Sequence, residues 1–331
     1  MRIGIIGTGV MGEYHTRIYS NMENNNSDIH IVGIADINKN RLEEISKKYK
    51  ISSSKHQGYI ETYTDYNLLL NKKLDAVSIC VPTSMHYEVT IAAIQKGVRY
   101  LLIEKPITDN LNTANDIVKF AADKGTTILV GHVERFNPSV QEMKKIIERG
   151  RLGDVVSISA KRVSRPNYPR HMDTGVIIDL AVHDFDVICY LYGMFPTAIY
   201  SIAGIGEKSN NHEDRAIVSL KFNDHCAGII ETNWLTPKTI RTLDIVGTEA
   251  VAHLDYIEQK IVISENEKNE EIKFTKQEPL MKEIEHFINV AMGKELPLVN
   301  GHDGINALNI ATAAIKSYKT GNVINISNMN C

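Results

Sequence analysis

Three glycines near the start of the chain have the spacing of a dinucleotide-binding turn. Gly7, Gly9 and Gly12 form a G-x-G-x-x-G between the apolar run 2–7 and a helical pattern. The first glycine of such a turn permits a tight bend, the second lets a pyrophosphate approach the backbone, and the third allows close helix–strand packing. The helix N-terminus adds unpaired N–H groups and a partial positive charge. We predict pyrophosphate contacts from Gly7, Gly9, Val10, Met11 and Gly12.

An acidic residue, Asp36, follows the second apolar run, 31–35, where a dinucleotide site would place it. Its carboxylate can accept hydrogen bonds from the adenosine ribose hydroxyls, and its charge repels a 2′-phosphate. The predicted cofactor is therefore NAD in preference to NADP. The simpler alternative is a structural turn beside a surface aspartate, and the strand–turn–helix context of the glycines argues against it.

A lysine follows another apolar run, 100–104, in the sequence Glu104-Lys105-Pro106. Ligands of open parallel sheets bind beyond the carboxyl ends of the strands, so Lys105 is predicted to project into that cleft. Glu104 and Lys105 are accordingly assigned to the cofactor edge, with Lys105 also a candidate catalytic cation. The alternative is a surface lysine at the start of a loop.

A second candidate group lies on the helical pattern 176–192, which is apolar nearly all round and should be buried. At about 100° per residue, Asp179, His183 and Asp186 fall on one face, whereas Asp184 points elsewhere. Unpaired carboxylates are costly to bury, so this stripe should face a cavity or pair internally. Two alternatives stay open, a structural histidine bonded to Asp179 and a metal site. No convincing third ligand follows nearby, so no metal is predicted.

The apolar patterns indicate two domains. Short runs at 2–7, 31–35, 75–81, 100–104 and 127–131 alternate with helical stretches near 10–22, 38–49, 84–96 and 110–124. This is typical of an α/β Rossmann domain with a doubly wound parallel sheet. Residues 51–62 fit no element.

Beyond about 131, alternating strands joined by short turns predict an α+β domain with a large open, mostly antiparallel sheet. The predicted domains are 1–131 and 132–331, with the last helix able to pack on the first.

The composition of the chain argues against several classes of protein. A formal net charge of −3 over 331 residues gives no basic field for nucleic acid or an anionic membrane. Cys80, Cys189, Cys226 and Cys331 lie far apart, which favours reduced thiols. No apolar run approaches the roughly 20 residues of a membrane helix, and the first strand begins where a targeting peptide would stand. We expect a soluble, cytoplasmic protein.

The chain resembles the Gfo/Idh/MocA family of sugar and polyol dehydrogenases over essentially its whole length. The resemblance is carried by the glycine turn, by Glu104-Lys105-Pro106, and by Asp179 with His183. It implies a Rossmann domain, a C-terminal open sheet through which the chain forms homodimers or homotetramers, and a catalytic set of Lys105, Asp179 and His183. Within the family, segments 131–138, 159–163, 173–184 and 231–237 are similar to archaeal UDP-N-acetylglucosamine 3-dehydrogenases.

This resemblance implies oxidation of a sugar 3-hydroxyl in a UDP-sugar substrate. A basic cluster before the catalytic helix adds support, since arginine forks suit a pyrophosphate. The predicted substrate contacts are Lys161, Arg162, Arg165, Arg170 and Asp186. Solvated loop charge is the alternative for the basic residues. A dehydrogenase of a free sugar or polyol such as inositol, or a catalytically inactive NAD-sensing regulator, are the alternatives for the function.

For the chemistry, we expect His183 to take the hydroxyl proton, because its unperturbed pKa lies near working pH. Asp179 would fix its tautomer, and Lys105 would stabilise the developing alkoxide. Lysine and histidine could exchange these roles.

Overall fold

A computed structural model describes residues 1–25, 28–50, 58–165, 174–206, 212–222 and 225–326. Its strands are β1 (Arg2–Ile6), β2 (His30–Ala35), β3 (Thr62–Tyr63), β4 (Ala76–Ile79), β5 (Tyr100–Glu104), β6 (Thr127–Gly131), β7 (Val155–Val163), β8 (Ala198–Gly204), β9 (Arg215–Lys221), β10 (Ala227–Asn233), β11 (Ile240–Gly247), β12 (Val251–Asp255), β13 (Lys260–Glu265), β14 (Lys268–Ile272) and β15 (Ile324–Asn325). Its helices are α1 (Val10–Asn25), α2 (Lys39–Lys48), α3 (Tyr66–Leu70), α4 (His86–Gln95), α5 (Leu111–Lys124), α6 (Pro138–Glu148), α7 (Val182–Tyr192), α8 (Pro279–Ala291) and α9 (Gly301–Thr320).

Residue contacts divide the chain into two compact units. The N-terminal unit consists of Met1–His132 and Leu280–Ile305, and the C-terminal unit of Val133–Pro279 and the chain from Asn306 onward. Helix α8 therefore belongs with the N-terminal unit, although it follows most of the C-terminal unit in sequence.

The N-terminal unit is built on a parallel sheet. Among the described residues it has six strands in the order β3-β2-β1-β4-β5-β6, and every neighbouring pair is parallel. Strands β4 and β5 are mostly apolar and almost completely buried, as expected when helices cover both faces. The strand order reverses between β1 and β4, and the carboxyl ends there mark the ligand-binding edge of such a sheet. The predicted Rossmann fold is confirmed.

The C-terminal unit is built on a larger, mostly antiparallel sheet, as predicted. Its order over the described strands is β14-β13-β12-β11-β7-β10-β9-β8-β15, and the β7–β10 pair is parallel. Strand β9 alternates exposed and buried residues along its whole length, so one face of the sheet is covered and the other is open. The covered face packs on α6 and α7 through residues such as Met143 and Phe185. The open face exposes the apolar residues Tyr200, Ile202, Ile217 and Ile229.

The predicted helix 176–192 is interrupted at its start. Residues Ile177–Ala181 form a π-helical segment, and α7 begins only at Val182. A π-turn holds more residues than an α-turn, so the angle of 100° per residue does not apply across this junction. The angular relation predicted between Asp179 and the later residues of the helix therefore changes, and their individual surroundings decide which of them face the same site.

Candidate active site

The glycine turn has the geometry expected of its three positions. Gly7 has a φ of +89°, and a Cβ there would lie 2.5 Å from the carbonyl oxygen of Cys80. A Cβ on Gly12 would lie 1.8 Å from the carbonyl oxygen of Gly7. Neither position can hold a side chain. A Cβ on Gly9, by contrast, would meet nothing within 4 Å, so the space above this residue is open.

Helix α1 begins beside that open space. Val10 is exposed, Met11 is half-buried, and the Glu13 N–H donates to the Gly9 carbonyl as the first helical bond. The N–H groups of the first turn have no partner within a helix and carry its positive dipole end. An exposed glycine next to these groups suits a phosphate, so the turn fits the pyrophosphate of a dinucleotide.

Asp36 is held against this turn from the end of β2. Its Oδ2 accepts from the backbone N–H of Thr8 at 2.7 Å and from the Thr8 hydroxyl at 2.9 Å. Its Oδ1 accepts from the Asn38 N–H at 2.8 Å. The carboxylate is half-buried, and its position at the end of β2 is the one that the ribose prediction assumed.

A cation outside the predicted site, Arg41, binds the same residue as Asp36, namely Thr8. Arg41 donates from Nε to the Thr8 carbonyl at 3.0 Å, and its guanidinium pairs with Glu13 and Glu44. Glu13 also accepts from Lys48 and Tyr49. The hydrogen bond from Lys48, helped by those from Tyr49 and Arg41 and opposed by desolvation, lowers the pKa of Glu13 to about 2. The charge of Arg41 is thus engaged by carboxylates.

Glu104, predicted at the cofactor edge, is bound to a buried histidine. Its carboxylate is buried and lies 3.0 Å from Nε2 of the fully buried His15 on α1. It also packs on Gly131, where a Cβ would lie 3.1 Å from Glu104 Oε2. The side chain therefore packs between α1 and β6. Lys105 comes next in the chain and is half-buried at the carboxyl end of β5.

Asp179 and His183 differ in exposure from the two other aspartates of this segment. Asp179 and His183 are partly exposed, whereas Asp184 and Asp186 are buried. Asp186 accepts two hydrogen bonds from the guanidinium of Arg135, at 2.8 and 2.6 Å. A carboxylate held this way supports the fold, so the structure favours a structural role for Asp186 over the predicted substrate contact.

Arg162 is likewise a buried structural cation. Only 2% of it is exposed, and its guanidinium binds both carboxylate oxygens of Asp184, at 2.9 and 3.0 Å. A third hydrogen bond runs from Arg162 Nη1 to Glu134 at 2.9 Å. The bidentate pair leaves no fork for a pyrophosphate, which corrects the predicted substrate role of Arg162.

Lys161 and Arg165, the two other described residues of the predicted basic cluster, each have a different partner. Successive residues of a strand face opposite sides, so Lys161 lies on the open face of the sheet, opposite to Arg162. Its ammonium is 2.8 Å from Glu231 on the neighbouring strand. Arg165 is exposed and donates from Nε to the Pro237 carbonyl. Arg170 lies outside the described residues.

A different arginine reaches the region of Asp179. Arg241 on β11 is the register neighbour of Arg162, is 43% exposed at its side chain, and approaches Glu134 to 4.0 Å. Desolvation and the charge of Arg162 lower the pKa of Arg241, and the charge of Asp179 is among those that oppose the shift. Asp179 and Arg241 are therefore electrostatic neighbours. The signal in the sequence was an arginine at an inward position of an alternating strand, two residues before the buried Leu243.

Two family models match this chain, one for each part of it. The GFO_IDH_MocA model, an oxidoreductase family with an NAD-binding Rossmann fold, matches residues 1–132. The model of that family's C-terminal α/β domain matches residues 144–326. Within the described residues, no helix combines the length and apolar character that crossing a membrane requires.

Two curated relatives span the whole chain. A UDP-N-acetylglucosamine 3-dehydrogenase of Acidithiobacillus ferrooxidans is 26% identical over 96% of both chains. The scyllo-inositol 2-dehydrogenase (NAD(+)) of Bacillus subtilis is 24% identical over 97% of this chain and 95% of its own. A solved structure of the Acidithiobacillus enzyme aligns with a TM-score of 0.84 at 25% identity, covering 97% of this chain and 98% of that one. Both relatives are bacterial, so the archaeal part of the resemblance has no support here.

Proposed function

This chain belongs to the Gfo/Idh/MocA family of oxidoreductases, and on that premise we propose that it oxidises a secondary hydroxyl of a sugar nucleotide with NAD. The substrate we propose is UDP-N-acetylglucosamine, oxidised at its 3-hydroxyl, or a related UDP-sugar. The observation that carries the catalytic part is a contrast in exposure between the residues of the π-helical segment and α7. Asp184 and Asp186 are buried in ion pairs, while Asp179 and His183 remain partly exposed.

The catalytic set that we propose consists of Lys105, Asp179 and His183. NAD, held at the glycine turn and by Asp36, would supply the acceptor for the hydride that leaves the carbinol carbon with its electron pair. His183 takes the proton of the hydroxyl, and the carbon–oxygen bond becomes a carbonyl. Asp179 orients the imidazole and stabilises its charged form. Lys105 donates a hydrogen bond to the reacting oxygen as negative charge develops on it. If Lys105 took the proton and His183 donated the hydrogen bond to the oxygen, the same proton and the same hydride would be transferred.

The preference for NAD over NADP rests on Asp36. A carboxylate at the end of β2 accepts from ribose hydroxyls, whereas a 2′-phosphate at the same position would meet its negative charge. Arg41, the nearby cation, is bound to Glu13 and Glu44 and so is poorly placed to compensate that repulsion.

The preference for a UDP-sugar rests on Arg241 and on the Acidithiobacillus relative. Arg241 is a half-exposed arginine near Asp179, and it replaces the predicted Arg162 as the cation that could bind a phosphate. The second candidate is a free polyol such as inositol. It is supported by the inositol dehydrogenase of nearly equal identity.

The test is formation of the reduced cofactor, followed by its absorbance, with UDP-N-acetylglucosamine, other UDP-sugars, myo-inositol and scyllo-inositol as separate substrates. A keto acceptor is added in parallel, so that cofactor retained between turnovers is still detected. Arg241→Met is compared with the unchanged protein. We expect turnover of a UDP-sugar and about a 10-fold higher KM in Arg241→Met, since a charged hydrogen bond is lost. Turnover of inositol alone, with no effect of Arg241→Met, would select the second candidate.

A further inference from the structure

Two buried histidines hold the chain on either side of Lys105. On one side, His15 is fully buried on α1 and lies 3.0 Å from the carboxylate of Glu104. On the other side, His86 lies at the start of α4 and is 1% exposed. Its Nδ1 is 2.9 Å from the Pro106 carbonyl and its Nε2 is 3.0 Å from the Val81 carbonyl. The residue before Lys105 and the residue after it are thus both fixed from neighbouring elements.

Glu104 is a buried anion beside Lys105. Desolvation by itself disfavours the carboxylate, but the hydrogen bond from His15, the charge of His15 and the charges of Lys105 and His86 outweigh it. The pKa of Glu104 is therefore lowered. The hydrogen bond from His15 is the largest of the effects that stabilise the ionised carboxylate. Without it, burial would push Glu104 towards its protonated form.

One ring nitrogen of His15 faces Glu104. Its Nδ1 is buried and has no hydrogen-bond partner among the described residues, whereas Nε2 lies 3.0 Å from the Glu104 carboxylate. An ionised carboxylate only accepts hydrogen bonds, so Nε2 carries the N–H of this pair. His15 thus donates to the carboxylate, and the bond joins α1, the helix of the glycine turn, to the end of β5.

We propose that His15 is a positioning residue for Lys105: it keeps Glu104 as a buried anion, and that anion holds the Lys105 ammonium in place for the reaction. The proposal rests on the proposed function, in which Lys105 contacts the reacting oxygen. Glu104 is then the link between the two, while His86 fixes the backbone on the far side of Lys105. The residues of the nucleotide-binding helix and of the catalytic strand are coupled through one hydrogen bond.

The same cluster could be taken for a metal site, and its chemistry argues against that. The ligand atoms of His15, Cys80 and Glu104 lie within 4.8 Å of one another. The His15 and Glu104 atoms already form a hydrogen bond. Desolvation, with the charges of Glu104 and Glu283, raises the pKa of the Cys80 thiol well above its usual value. A protonated thiol is a poor ligand, since metals bind the thiolate.

The first test uses the protein without substrate, so its result does not depend on the proposed function. His15→Leu removes the hydrogen bond, and His15→Gln keeps a side-chain N–H that can donate to the carboxylate. Infrared difference spectra between high and low pH record the carbonyl band of protonated Glu104, identified by its loss when Glu104→Gln is added. We expect this titration to move up by about 2 pH units in His15→Leu. It should stay near its original position in His15→Gln.

The second test follows turnover against pH with the best substrate. In His15→Leu we expect kcat to fall by about 10-fold or more, most steeply at low pH where Glu104 protonates, with NAD affinity unchanged. Glu104→Gln should lower kcat at all pH values, and His15→Gln should retain most of it. A merely structural role for His15 would give a loss that is independent of pH.

An unchanged Glu104 titration in His15→Leu overturns the proposal, and so does a stoichiometric metal bound by this cluster in the purified protein. If the titration shifts but no sugar or polyol is oxidised, the linkage stands and the proposed function fails. Circular dichroism and thermal unfolding of each variant establish that it is folded before either readout is taken.

Discussion

The carboxylate of Asp36 accepts two hydrogen bonds from Thr8, one from its backbone N–H at 2.7 Å and one from its hydroxyl at 2.9 Å. Thr8 stands between the first two glycines of the turn, so the acid at the end of β2 and the backbone of the glycine turn are joined directly. A change at Asp36 should therefore affect both the choice of cofactor and the position of the turn.

For Asp36→Ala we expect the ratio of kcat/KM with NAD to that with NADP to fall by about 10- to 100-fold. The variant loses an acceptor for the ribose hydroxyls, worth about 1–3 kcal/mol, and no longer repels a 2′-phosphate. Steady-state kinetics with both cofactors measure the ratio. Asp123→Ala, an exposed change on α5, is the control and should leave it unchanged. A ratio unaltered in Asp36→Ala would remove Asp36 from cofactor selection.

Lys105→Met and His183→Ala should each lower kcat by about 10²–10⁴, as the loss of a general base or of an electrostatic stabiliser does. NAD binding, measured by calorimetry, should persist in both variants. Lys161→Met is the matched control, because this lysine lies on the open face of the sheet beside Glu231. If cofactor binds but the unchanged protein and both variants turn over nothing, the NAD-sensing alternative is favoured instead.

Local patterns in the sequence predicted more of this structure than contacts between distant residues could. The buried strands and the glycine turn were predictable because each depends on the types of a few consecutive residues. The pairing of Asp186 with Arg135 was not, since the two are 51 residues apart in sequence. The residue types of Ile177–Ala181 do not indicate a π-helical turn either. The separation of Lys161 from Arg162, by contrast, could have been predicted, because neighbours in a strand alternate between faces.

Replacement of Arg162 by Met should destabilise the C-terminal unit by about 3–5 kcal/mol, because Asp184 and Glu134 would remain buried without their cation. Urea unfolding measures the change. The double variant Arg162→Met with Asp184→Leu should recover part of the loss, since one of the two orphaned carboxylates is removed. A small loss in Arg162→Met with a large rise in substrate KM would restore the predicted substrate role.

Glu13 should make stability depend on acid pH. Its folded pKa of about 2 lies below its ordinary value of 4.5, so its ion pairs stabilise the folded state above about pH 5. That contribution is lost as the pH falls from about 5 to 2. Because the partners Lys48 and Arg41 are partly solvated, we expect only about 1 kcal/mol.

Glu13→Gln should therefore be less stable than the unchanged protein at pH 7 and nearly equal to it at pH 2.5. Thermal unfolding at several pH values checks this, with Glu43→Gln as the control on the exposed side of α2. A difference that stayed constant with pH would show that Glu13 acts through packing and not through its charge.

The open face of the large sheet should be where copies of this chain associate. Ile202 on β8 is 63% exposed and is the register partner of Ile217 on β9, which is 47% exposed. Tyr200 and Ile229 extend this apolar surface on the same face. Contiguous exposed apolar surface on a folded protein commonly marks an interface, because its burial is favourable by about 25 cal/mol per Å².

We expect the unchanged protein to form a dimer or tetramer, and the double variant Ile202→Asp with Ile217→Asp to be a folded monomer. Two like charges at neighbouring positions on each copy would oppose burial of this face. Size-exclusion chromatography with light scattering measures the mass. Leu68→Asp, an exposed apolar residue of α3 in the N-terminal unit, is the control and should leave the mass unchanged. An unchanged protein that runs as a monomer at micromolar concentration contradicts the prediction. So does a double variant that keeps its full assembled mass, because association must then use another surface.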